Sequence, residues 1–190
     1  MKKVLSIIAL CLIAVLAGTI IVFSCVNKNY NLNLTNPDYI EISVNNSGVK
    51  ESYYHDGDDE HKAVYDKVMK LYNDSYKQKI MSGIFSGVIF NKPTIVRNEN
   101  TKNVDTLLSS GTFVIFNYKE EQTLMLNGKK YTDKSNENGI KYKTLYVEVK
   151  DTNSITTFSI YVKNTSNNYC YYRFSAQAKQ ADLYKYVSEV

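Results

Sequence analysis

Tryptophan is absent from this 190-residue chain, histidine occurs twice and cysteine three times. The cysteine count excludes the most. Cys11 falls inside an apolar run and Cys25 near its end, so Cys170 stands alone in the rest of the chain. One thiol cannot build a disulfide framework, and stability has to come from a hydrophobic core. Cys170 sits between Tyr169 and Tyr171 in a strand-like stretch, which reads as a buried, inert thiol. Long Lys/Arg runs are missing as well. The formal net charge of +4 includes Lys2 and Lys3, leaving +2 for the remainder. A nucleic-acid binder carries a dense basic face, so no nucleic-acid partner is expected. There is no G-x-S-x-G elbow, Walker loop or G-x-G-x-x-G turn, and neither histidine has a placed catalytic partner. No cofactor is expected, and an enzymatic role has little support.

What the sequence does have begins at Val4. From there to Val26 no charged residue occurs, and Lys2 and Lys3 stand directly in front. A helix rising about 1.5 Å per residue would carry this stretch past about 30 Å, the hydrocarbon thickness of a bilayer. Three fates fit it. A retained signal anchor would keep the lysines inside and the rest outside, and the apolar length favours this over a short signal-peptide core. Val22-Phe23-Ser24-Cys25 resembles a lipobox, with Cys25 as the lipidated residue. Cleavage after Ala17 or Ser24 is the third. A buried helix of a water-soluble protein would keep a polar face, which this stretch lacks. Membrane contact is therefore expected through residues 4–26, with the following chain on the extracytoplasmic side.

Residues 27–38 are Asn-rich and end in Pro37-Asp38, as a polar spacer would. Residues 39–190 read as one α+β domain, with about six to seven mainly antiparallel strands packed by a long helix and a C-terminal helix. Tyr39 to Val44 alternates, with Ile40, Ile42 and Val44 on one side and Tyr39, Glu41 and Ser43 on the other. A turn follows at 45–48. The helix is expected from about 59 to 82, its stripe formed by Val64, Val68, Leu71, Tyr72 and Ile80. Val88 to Arg97, interrupted by Pro93, reads as an edge strand, and 98–103 as a polar loop. Thr112 to Phe116 is apolar on both parities, as in a strand covered on both faces. Asn127-Gly128 predicts a tight hairpin with Met125 opposite Lys130. With 151–154 as a loop, Val147 would face Phe158 and Leu145 would face Ile160. A last strand is expected over Tyr169–Phe174, with Ser175 capping a helix from about 176 to 187.

Two clusters offer themselves as sites. His55, Asp58 and His61 lie in the most polar stretch of the chain and could ligate a metal for a hydrolase. Their spacing fits neither an EF-hand nor an i, i+4 ligand pair. The favoured reading is that Asp58 or Asp59 caps the following helix. The second cluster is a tyrosine-bearing sheet side, Tyr142, Tyr146 and Tyr161, suited to gripping peptides or glycans. The competing reading is that these rings half-bury under a helix or reflect codon bias in a chain with 17 tyrosines.

The lysine-led apolar leader, Ser24-Cys25 and the Asn-rich spacer before one Tyr/Lys/Asn-rich domain resemble a group of bacterial proteins in layout. These are the exported or lipoprotein-like, membrane-anchored proteins of low-GC Gram-positive bacteria. The resemblance implies a place outside the cell membrane and no particular activity. A binding or interaction module at the cell envelope is the expected function, with an envelope polymer or another envelope protein as partner. A metal-dependent or acid–base hydrolase and an accessory subunit of a membrane complex are the alternatives.

Overall fold

The computed structural model describes residues 8–15, 34–45, 49–77, 94–96, 101–126, 128–132, 134, 136–165 and 170–190. The domain is α+β, built on a seven-stranded sheet with strand order β2-β1-β4-β7-β8-β9-β3 and every pairing antiparallel. Its strands are β1 (Tyr39–Ser43), β2 (Val49–Tyr54), β3 (Thr94–Val96), β4 (Phe113–Thr123), β7 (Lys141–Glu148), β8 (Thr156–Asn164) and β9 (Tyr171–Ala178). A separate hairpin joins β5 (Met125–Leu126) to β6 (Lys129–Lys130). Besides the helical residues 8–15, which we label α1, there are α2 (Asp59–Lys77), α3 (Thr101–Ser110) and α4 (Ala181–Glu189).

The main core lies on one sheet face, under α2 and α4. Alternation brings Ile40, Ile42, Val114, Phe116, Leu145, Val147, Ile160 and Val162 to this side. Helix α2 answers with Tyr65, Val68, Met69 and Tyr72, spaced i, i+3, i+4 and i+7, all buried; Val64 and Leu71 flank them. Helix α4 contributes Leu183 and Val187. Burial of Phe113, Val114, Ile115 and Phe116 shows β4 covered on both faces, as its unbroken apolar run predicts. A smaller core forms on the second face, where Val104 and Leu108 of α3 rest on Phe113, Ile115, Tyr161 and Tyr171.

The hairpin registers as its turn demands. Gly128 has φ +71°, Met125 pairs with Lys130, and Tyr131 N–H donates to Leu124 O at 2.9 Å. Thr94–Val96 is an edge strand, in keeping with Pro93 just before it. Elsewhere the structure corrects the expectation. Leu145 pairs with Val162 and Val147 with Ile160, two residues from the expected register. A slip of two keeps every side chain on its face, so the apolar side is unchanged. β9 runs on to Ala178, where Ala176 and Ala178 are buried strand residues rather than the start of a helix. Gln180 occupies the N-cap position of α4; its buried amide bridges β7, accepting from Lys150 N–H and donating to Glu148 O, each at 3.1 Å. β2 and α3 lie where no element or a loop was expected. Helix α2 is described as far as Lys77, and the expected extension to 82, with Ile80, lies outside the described residues.

Residues 34–38, the end of the expected polar spacer, are strapped to the domain. The Tyr65 hydroxyl donates to Pro37 O at 2.6 Å and the Tyr118 hydroxyl to Thr35 O at 2.9 Å. Asp38 N–H donates to Asn117 O, and the Asp38 carboxylate accepts Lys119 N–H at 2.8 Å. Beneath the strap is a cavity of about 100 Å³ touching Thr35, Met69, Tyr72 and Phe116. A small-molecule site usually needs about 300–1,000 Å³, so this cavity is a packing gap rather than a ligand pocket.

Candidate binding face

The three tyrosines expected to share one side do not share it. β7 carries an extra residue at Lys143, because Tyr142 pairs with Asn164 while Thr144 pairs with the adjacent Lys163. That bulge turns Tyr142 to the main core, where it is fully buried and meets Tyr118 edge-on at 5.6 Å. Burial pushes its phenol up to about 12, against a smaller lowering by hydrogen bonding with the Tyr118 hydroxyl. Tyr161 is on the second face but lies buried in the smaller core under α3. Tyr146 alone of the three is half-buried on that face. Its phenol is raised, first by burial and then by the carboxylates of Glu41 and Asp105. Asp105 itself accepts the Tyr171 hydroxyl at 2.9 Å.

What remains open on the second face lies towards the β2 edge. Register places Tyr54 opposite Tyr39, Ser52 opposite Glu41, Tyr39 opposite Asn117 and Asn117 opposite Thr144. The Tyr39 and Tyr54 rings stack across the strands, centroids 4.9 Å apart and planes 25° from parallel. Offset stacking of this kind fixes both rings against each other. Tyr54 is 38% exposed and Tyr39 half-buried. Burial pushes the Tyr39 phenol up, and Glu41 and Tyr54 push the same way.

A polar chain crosses four strands beside this stack. The Thr144 hydroxyl donates to Asn117 Oδ1 at 3.1 Å, and Asn117 Nδ2 donates to Glu41 Oε2 at 3.0 Å. The Ser52 hydroxyl donates to Glu41 Oε1 at 3.3 Å. Ser52 and Asn117 converge on one carboxylate while Thr144 orients Asn117, so the position of Glu41 is set by the sheet itself. Among the residues whose side chains are described, Glu41 has no Lys, Arg or His in an ion pair with it. Sequence pattern put Tyr39 and Glu41 on the outward side of β1. It missed their partners because Tyr54 and Ser52 belong to the unassigned β2.

No protein-family model, curated protein or solved structure matches this chain. The chemistry of the face therefore has to be argued from its own residues.

The histidine cluster has a different use. The Asp58 side chain accepts His61 N–H at 2.9 Å, three residues on, which is the N-cap bond of α2. Asp59 and Glu60 fill the first turn, at the positive end of the helix dipole. The His61 ring lies 3.1 Å from Glu51 Oε1 and edge-on to Tyr53. His55 is separate, edge-on to Tyr65 at 5.3 Å. The fold thus does not bring His55 to Asp58 and His61. Among the described residues no three His, Cys, Asp or Glu side chains come together as metal ligands. Cys170 is buried, and Cys25 lies outside the described residues.

Proposed function

We propose that the chain is a membrane-tethered extracytoplasmic module that binds cell-envelope material through the open part of its second sheet face. The observation that carries this reading is the stacked Tyr39–Tyr54 pair beside an oriented Ser52–Glu41–Asn117–Thr144 chain. Flat aromatic faces flanked by fixed polar groups are the usual make-up of a polar recognition site. Nucleophile, base and phosphate cradle are not assembled there, so the reading is binding rather than turnover.

The tether rests on the leader. Its described residues 8–15 are helical, with Ile8, Leu10, Leu12, Ile13 and Val15 all exposed. Apolar surface left in water is disfavoured by roughly 25 cal/mol per Å², which lipid around the whole stretch 4–26 would relieve. Among the described residues no helix is long and apolar enough to cross a membrane. Most of the stretch lies outside them. The strap at 34–38 would then hold the domain close to its point of attachment and fix which face it presents.

Retention on isolated cell envelope tests the binding half of this reading. Full-length protein in detergent micelles should be retained, and Tyr54→Ala should cut retention at least fivefold. Equal retention of the two would show that this face is not the binding surface.

A further inference from the structure

We infer that this face selects a protonated amino sugar, the ammonium seated against Glu41 and the sugar ring against the Tyr39–Tyr54 stack. The inference rests on the proposed envelope-binding role and names its ligand class. Charge is the first argument. Glu41 is half-buried, its two oxygens accept from the neutral Ser52 and Asn117 donors, and among the residues whose side chains are described no Lys, Arg or His pairs with it. A partly desolvated carboxylate held by dipoles alone gains most from a cation brought to it. Of the lysines that alternation places on this face, Lys119, two residues past Asn117 on β4, is taken up by the Asp56 carboxylate at 3.6 Å, and Lys163 lies on β8, three strands from Glu41. On the other side, Asp105 and Glu41 both act on Tyr146, which adds negative charge around the seat.

Shape and hydrogen bonding narrow the cation to a sugar. A sugar ring has one flat C–H face, which the exposed Tyr54 ring can take, while the same ring attracts the ammonium. The Ser52 and Thr144 hydroxyl oxygens have already spent their protons on Glu41 and Asn117. Their lone pairs stay available to accept from ring hydroxyls. A simple ammonium would leave those acceptors unused, and a neutral sugar would leave the carboxylate without a counterion. From β2 to β7 the seat crosses three strand spacings, about 14 Å, which suits an oligomer rather than a single ring.

The probe is a glucosamine trimer, titrated calorimetrically into full-length protein in micelles at low salt and a pH where the amine is protonated. N-acetylglucosamine and glucose trimers serve as controls. The glucosamine trimer should bind at least tenfold tighter than either control and weaken as salt is raised. Glu41→Gln and Tyr54→Ala should each lose tenfold or more, with unfolding midpoints unchanged because neither side chain is in a core. Should Tyr54→Ala fold poorly, Tyr54→Leu, which keeps the bulk and removes the ring, replaces it, and the salt dependence of binding tests the charge should Glu41→Gln do so. Equal affinity for the N-acetylated trimer, no binding of the glucosamine trimer, or undiminished binding by Glu41→Gln would overturn the inference. If envelope retention still falls in Tyr54→Ala while the glucosamine preference is missing, the ligand class is wrong and the binding face stands. If retention is also unchanged, both fail.

Discussion

Phe116→Ala lowers the stability of the domain by about 3–5 kcal/mol, at the upper end of what truncating a buried aromatic costs. Phe116 is fully buried in β4, paired with Ile40 of β1 and Leu145 of β7. Its ring meets Tyr72 of α2 edge-on at 5.1 Å and 78°. Truncation would remove one of the contacts that dock the long helix on the sheet. The ring also borders the cavity of about 100 Å³ under the strap. Removing it joins a new void to an existing one, and two β-strands hold the walls apart, so little collapse can offset the loss. Against a typical total of about 5–15 kcal/mol, the variant is marginal at 25 °C. Urea unfolding followed by circular dichroism checks this, with the midpoint falling and the slope unchanged. Leu107→Ala is the control: this side chain is exposed on α3, and its loss should stay within about 0.5 kcal/mol.

Alkali should unfold the domain cooperatively between pH 10 and about 12. Burial raises Tyr65 from 10.0 to about 12, with Asp66 and Asp38 adding to the rise. Tyr142 is raised to about 12, and Tyr118 is raised further still, chiefly by burial. A phenol with a raised folded-state pKa keeps its proton in the native state where the unfolded chain has lost it. Its contribution is fully present below pH 10, and it disappears as pH climbs through the folded-state value. The loss is mechanical as well as electrostatic. Tyr65 and Tyr118 donate the hydroxyl hydrogens that hold Pro37 O and Thr35 O, and a phenolate cannot donate. Absorbance of tyrosinate should therefore rise in two stages. Exposed rings titrate near pH 10, and buried rings titrate together with the loss of far-ultraviolet circular dichroism. One smooth titration of all tyrosines near pH 10, with the fold intact, would contradict the burial described here.

Local chemistry was the best guide to this fold. Asn127-Gly128 needs a left-handed backbone, and the hairpin forms there with the expected partners. The two-sided apolar run of β4 and the alternation in β1 also read directly into burial. Pairing partners were harder, because a period of two fixes which face a residue takes but not which neighbour it meets. β7 and β8 therefore kept their faces with the register two residues away. A bulge breaks even the face rule, and nothing in Tyr142-Lys143-Thr144 announces one; hence Tyr142 went to the core. β2 is an edge strand with Lys50 and Glu51 in it, so it carries little strand signal. α3 has only Val104, Leu107 and Leu108 as apolar residues among its ten. Ala176 and Ala178 favour helix by propensity, yet they sit buried in β9, where tertiary packing overrides propensity. Half of the candidate face was thus visible, Tyr39, Glu41 and Tyr146, while the edge strand that completes it was not.

The central claim is that a greasy leader holds a binding domain on the far side of a membrane. Full-length protein with a C-terminal epitope, fractionated from cells and then exposed to protease added outside intact cells, tests it most directly. The account predicts that the protein sediments with membranes and that external protease removes the epitope. A freely soluble cytosolic product with residues 1–26 intact, its epitope protected, would contradict it.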